Sequence, residues 1–115
     1  MAISLVNDSA TISTSEYSFP ADTTTSVPVA QTDDCILQVF ADVSAMAAGD
    51  EFRFRIYEKV NGGTIRVAYE NSLFGAQANP VFEFPSMIVG DGWDVTALKV
   101  AGTDRAIAWS LRKIT

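Results

Sequence analysis

Apolar and polar residues alternate with period two along most of the chain. Strand side chains point alternately to opposite faces, so this pattern predicts strands with one buried face. The clearest run is EFRFRIYEKV, where Phe52, Phe54 and Ile56 share one face and Arg53, Arg55, Tyr57 and Lys59 the other. Asn61-Gly62-Gly63 follows, and these residues accept the positive φ of a tight hairpin. The return strand, Thr64 to Glu70, turns Ile65, Val67 and Tyr69 inward. A second hairpin is predicted over Gly92 to Ile114, joined at Ala101-Gly102-Thr103-Asp104. Ile107, Trp109 and Leu111 share a face on its second strand. On its first, Trp93 and Val95 lie opposite in phase to Leu98 and Val100. That change predicts a bulge near Thr96-Ala97 or a strand covered on both faces.

The remaining segments fit the same scheme. Residues 2–6 are an apolar arm or a first strand, and residues 10–19 form a strand with one polar face. The β-branched run Thr23 to Val29 carries Pro28, which places it at an edge or in an extended connection. Residues 35–43 are almost continuously apolar, as a central strand requires. Ser44 to Asp50 is the only helix-like patch, one or two turns long and ended by Gly49-Asp50. Residues 71–80 read as a loop with Phe74 tucked beneath it. Val81 to Val89 is a strand interrupted at Pro85. About eight short strands with regular turn signals predict an all-β, antiparallel β-sandwich or barrel. The predicted core is Ile36 or Leu37, Val39, Phe52, Phe54, Ile56, Ile65, Val67, Phe82, Phe84, Trp93, Ile107 and Trp109. The whole, residues 1–115, reads as one domain with a short N-terminal arm of about residues 1–7.

Charge refines this picture. The net charge is −6, without a basic cluster, which argues against nucleic-acid binding through phosphate neutralisation. The first 52 residues hold eight acids and no Lys or Arg, and the rest carry a net +2. One consequence would be an acidic face of one copy meeting the Arg53/Arg55/Arg66 face of another. No apolar run approaches the roughly 18 residues of a membrane helix, and the N-terminus lacks the features of a secretory signal. The single Cys35 reads as a small buried hydrophobe, in keeping with synthesis in a reducing cytoplasm.

Candidate chemistry is sparse. There is no histidine, which removes the commonest general base, nucleophile partner and metal ligand. No phosphate-binding glycine motif is present. Glu58, Glu70 and Glu83 could formally supply a glycosidase carboxylate pair, but they read as outward strand or turn positions. Asp33-Asp34 and Asp91/Asp94 could offer oxygens to calcium, although turn chemistry explains them more simply. The sequence therefore predicts no enzyme and no cofactor. Arg53, Arg55, Tyr57 and Arg66 form the face best suited to a protein partner, since Arg and Tyr are enriched in interfaces. Ile3 and Leu5 of the arm are the other candidate partner contacts. Trp93 and Trp109 would stack on sugars if exposed, but read first as core.

Two stretches carry a resemblance: MAAGD leading into FRFRIYEKVNG, and GWDVT followed by AGTDR and AWSLR. Over residues 36–115 their order and spacing resemble small virion structural proteins of tailed bacteriophages. The resemblance implies a capsid decoration or cement protein, a jelly-roll-like β-sandwich and often a homotrimer. It would sit on the head surface of the virion with the major capsid protein, or another virion protein, as partner, and would be made in the host cytoplasm. A tail or fibre component and a glycan-binding β-sandwich module are the alternatives. No functional residue follows from the resemblance.

Overall fold

A computed structural model describes residues 2–115. Met1, the first residue of the expected arm, lies outside them. Nine strands follow one another: β1 (Ile3–Ile12), β2 (Tyr17–Ser18), β3 (Cys35–Asp42), β4 (Glu51–Glu58), β5 (Arg66–Phe74), β6 (Val81–Glu83), β7 (Met87–Val89), β8 (Asp94–Ala101) and β9 (Arg105–Ile114). They build two antiparallel sheets. Sheet I has the order β1-β9-β3-β6, with β7 also paired to β3, and sheet II the order β2-β8-β4-β5. If β6 and β7 are counted as one strand broken around Pro85, this is the strand order of an eight-stranded jelly roll. The two pieces occupy successive stretches of β3: Phe40 to Asp42 pairs with β6, and Cys35 to Leu37 with β7.

The inner faces pack as the alternation predicts. Leu37, Val39, Ala41, Ile107, Trp109 and Leu111 of sheet I meet Phe52, Phe54, Ile56, Val95 and Ala97 of sheet II and Trp93 just before β8, all buried. Phe84 lies between them, edge-on to Phe54 at 5.6 Å between ring centroids. Phe19 stacks on Trp109 at 5.0 Å and 6° between ring planes. Offset aromatic pairs of this kind add roughly 0.5–1.5 kcal/mol beyond burial.

Several expectations need correction. Leu37 faces the core, and Ile36 faces solvent. Val67 is 46% exposed rather than buried. A bulge between Ile56 and Tyr57 explains this: Ile56 pairs with Tyr69, yet Tyr57 pairs with Val67, leaving Ala68 unpaired. One extra residue exchanges the two faces of the strand, so the inward phase ends at Tyr69. Ile65 and Phe82 are only half-buried. Phe74 does not tuck under a loop. It ends β5 opposite Glu51 and is 66% exposed.

β8 is covered on both faces from Asp94 to Ala97, one of the two outcomes its phase change allowed. Its irregularity lies later, where Phe52 pairs with Lys99 but Glu51 with Ala101. The Ser44–Asp50 patch forms turns, and the described residues contain no helix. Residues 3–7 are the first half of β1, paired with β9 from Ile3↔Ile114 to Ile12↔Arg105.

The turn between β8 and β9 is fixed by Asp50. Its buried carboxylate accepts from Ala47 N at 2.9 Å, Thr103 N at 3.1 Å and Arg105 Nε at 2.8 Å. Gly102 has φ 93°, and a Cβ there would lie 2.2 Å from Asp50 Oδ1. A side chain is thus excluded by conformation and by space together.

Candidate functional site

The segment from Ser13 to Asp34 straps β8 at the border of sheet II. β2 pairs with β8 through Tyr17↔Ala97 and Ser18↔Thr96, and Gln31 bridges Trp93. Two carboxylates tie the strap to the outer face. Glu16 accepts from the Tyr57 hydroxyl at 2.7 Å and from the Thr96 hydroxyl, and lies 3.3 Å from Arg55. Asp94 accepts from Ser18 Oγ at 2.7 Å, Val29 N at 2.7 Å and Val95 N at 2.8 Å. Burial pushes the Asp94 carboxyl up to about 6, against the pull of these three donors, with Glu16 adding repulsion. Burial and the neighbouring Glu16 likewise push the Tyr57 hydroxyl up to about 12.

The candidate interface residues of β4 are therefore engaged within the chain. Arg55 also pairs with Glu70 at 2.7 Å. Arg53 donates to Ser72 Oγ at 3.2 Å and lies 3.7 Å from Glu51. Tyr57 does point outward, as predicted, but the strap covers it. Arg66, opposite Glu58 in the ladder, is exposed. The sequence division of charge is resolved in the same way. Four of the six ion pairs among the described residues join an acid of the first 52 residues to a base of the rest: Glu51–Arg53, Glu16–Arg55, Asp50–Arg105 and Asp33–Lys113. These four pairs join the acidic and basic parts of the sequence within one chain.

The outer face of sheet I is different. Residues opposed across antiparallel strands project to the same face. The register Ile3↔Ile114↔Ile36↔Ile88 thus lays four isoleucines in one row over β1, β9, β3 and β7. Ile88 is 82% exposed, Ile3 66% and Ile36 43%. With strands about 4.8 Å apart, the row runs about 14 Å. Leu5, in the next row, is also exposed. Of the two candidate contact sets, Ile3 and Leu5 lie in this open apolar area, whereas Arg53, Arg55 and Tyr57 do not. The row was not predicted. Its members stand on four segments, and only their pairing brings them together.

Beside the row, the same face holds a shallow trough of about 430 Å3. Ala108 and Ser110 of the central strand β9 form a low floor between Phe40 and Asp42 on one side and Asn7 on the other. Arg112 closes one end with its guanidinium 4.5 Å from the centre of the Phe40 ring. Both tryptophans point inward, away from this surface. Trp93 Nε1 donates to Asp33 O at 2.8 Å, whereas Trp109 Nε1 is buried without a partner. Among the described residues no group of three or more His, Cys, Asp or Glu side chains is placed to hold a metal ion. Comparison of the chain with protein-family models, curated proteins and solved structures found no match.

Proposed function

We propose that this protein is a non-enzymatic structural component of a virion, a decoration or cement protein that docks on the head surface against the major capsid protein. The observation that carries the reading is the exposed isoleucine row on the outer face of sheet I. Contiguous exposed apolar patches are a feature of interaction surfaces. Such a protein works by adding modest contacts over many symmetry-related copies, and an open apolar sheet face suits that role. Jelly rolls occur among viral capsid domains, a support by fold analogy alone. A tail or fibre protein would use the same surface at another place on the particle.

The test is sedimentation of the tagged protein with particles of the virus that encodes it. Wild type should pellet with the particles and saturate at a copy number set by the lattice. Ile88→Asp, at the most exposed position of the row, should stay in the supernatant while remaining folded. A wild-type protein that does not pellet, or a variant that binds as well, would refute the reading. Electron microscopy of labelled particles separates head from tail.

The trough favours a second reading, a glycan-binding module. Asn7, Asp42 and Arg112 offer hydrogen-bonding groups to sugar hydroxyls beside the partly exposed ring of Phe40, the combination expected of a ligand site. Binding on a glycan array that is lost in Asp42→Ala, with particle sedimentation unchanged by Ile88→Asp, would favour it over docking.

A further inference from the structure

The free edge of β1 carries an inference about assembly that is independent of the virion reading. β1 is the last strand of sheet I on its side, and every residue from Ala2 to Ser9 is exposed. Ala2 N donates to Thr115 O at 3.1 Å and Thr115 N to Ala2 O at 3.0 Å, which makes this a doubly hydrogen-bonded pair. Such pairs alternate along an antiparallel ladder. Ser4, Val6, Asp8 and Ala10 therefore spend their backbone groups on β9. Ile3, Leu5, Asn7 and Ser9 turn theirs to the open side.

That edge is not open throughout. The Asp8 carboxylate accepts the Ser9 N–H at 2.8 Å and closes the ladder at that point. The window left runs from Ile3 to Asn7. It contains no charge, no proline and no bulge, the devices that normally protect an edge strand. It is also symmetric about Leu5, which is 54% exposed, and its neighbour Val6 is 42% exposed.

We propose that this window pairs with the same window of a second copy, antiparallel, about a two-fold axis at Leu5. Leu5 then opposes Leu5 of the partner subunit, and Ile3 opposes Asn7 of the partner subunit. Every open donor and acceptor in the window is used, about six hydrogen bonds in all. A register centred on Asn7 would need the Ser9 N–H that Asp8 already holds, and would bring Asp8 against Val6 of the partner subunit. The pairing joins two copies of sheet I into one continuous sheet and sets two isoleucine rows on a common face. So short a ladder buries less than the roughly 1,200 Å2 of a stable complex, so the dimer forms at high protein concentration.

The experiment combines sedimentation equilibrium up to about 1 mM with mild oxidation of cysteine variants. The Cα separation of a hydrogen-bonded pair, about 5.5 Å, lies within disulfide range. Leu5→Cys alone should form a covalent dimer. Ile3→Cys and Asn7→Cys should cross-link when mixed and much less when separate. In sedimentation, mass should rise toward twice the 12.4 kDa of the chain. Leu5→Pro removes a donor from the interface alone and should hold the protein monomeric with its strand spectrum intact. If that variant does not fold, Leu5→Lys, which sets two positive charges at the axis, should give the same result. A monomer throughout, a three-fold mass, or cross-linking of Asn7→Cys alone at the rate of Leu5→Cys would overturn the proposal.

Discussion

The two outer faces of this sandwich are built from similar strands and meet solvent in opposite ways. Sheet II turns out Arg53, Arg55, Tyr57, Asp94 and Thr96, and nearly all of them are bonded, most of them to one another or to the strap. Sheet I turns out Ile3, Ile36, Ile88 and Ile114, and the first three are exposed. Arg53, Arg55 and Tyr57 read as the interface because Arg and Tyr are enriched in interfaces. Here the polar face is the finished one and the apolar face the available one. A polar group half-removed from water must find a partner, and the strap supplies it. An exposed apolar group has no partner to seek within the fold.

Both faces rest on one core, and the strongest test removes it. Trp109→Ala deletes a side chain buried among the sheets and stacked on Phe19 of the strap. Loss of transfer energy and the resulting cavity together cost about 3–5 kcal/mol, a large part of a domain's roughly 5–15 kcal/mol. Urea denaturation should show the loss. A melting midpoint within a degree or two of wild type would mean that the aromatic stack does not hold the strap.

The strap alone is broken by Glu16→Ala, which frees Tyr57, Thr96 and Arg55 at once. Bonds to a charged, largely buried group are worth about 1.5–3 kcal/mol, and a loss of roughly 2–3 kcal/mol is expected in the same assay. Limited proteolysis should then cut within residues 13–34 first. Arg55→Glu should be similarly damaging, because it sets a third carboxylate between Glu16 and Glu70.

Two buried carboxylates give the stability opposite dependences on pH. The folded state holds the Asp94 proton more tightly than the unfolded chain, about 6 against the usual 3.9. The stability tied to that proton is fully present below about pH 4 and is lost as pH rises through about 6, on the order of 2–3 kcal/mol. Asp50 runs the other way: Arg105, Ala47 N and Thr103 N hold its carboxyl down at about 2. Its contribution is present above about pH 4 and lost as pH falls through about 2. Stability should therefore peak near pH 4, and Asp94→Asn should abolish the decline between pH 4 and 6. A flat profile over that interval in wild type would show that Asp94 is hydrated.

The smallest effect is expected on sheet I. Ile88→Asp should change stability by less than about 0.5 kcal/mol, as exposed substitutions do, while reducing the binding of a hydrophobic dye. A large loss of stability would mean that the row packs within the fold.

The chain by itself determined most of the core and the kind of fold. The alternation around Phe52, Phe54 and Ile56 is legible because one strand face must leave water, and the same holds for Ile107, Trp109 and Leu111. Asn61 and Gly62, with φ of 55° and 64°, marked their hairpin because few other residues accept such angles. Long-range pairing decided the rest. Residue type leaves Ile36 and Leu37 equivalent, and only the register of β3 sends one inward and the other out. Val67 lost its expected place to one unpaired residue across the hairpin. Glu16 meets Tyr57 and Arg55 only because the strap crosses β8, and Ile3 meets Ile114 only because the first and last strands pair. Local pattern reports which side of a strand avoids water. It carries no record of the neighbouring strand, and a surface assembled across four strands is a property of neighbours.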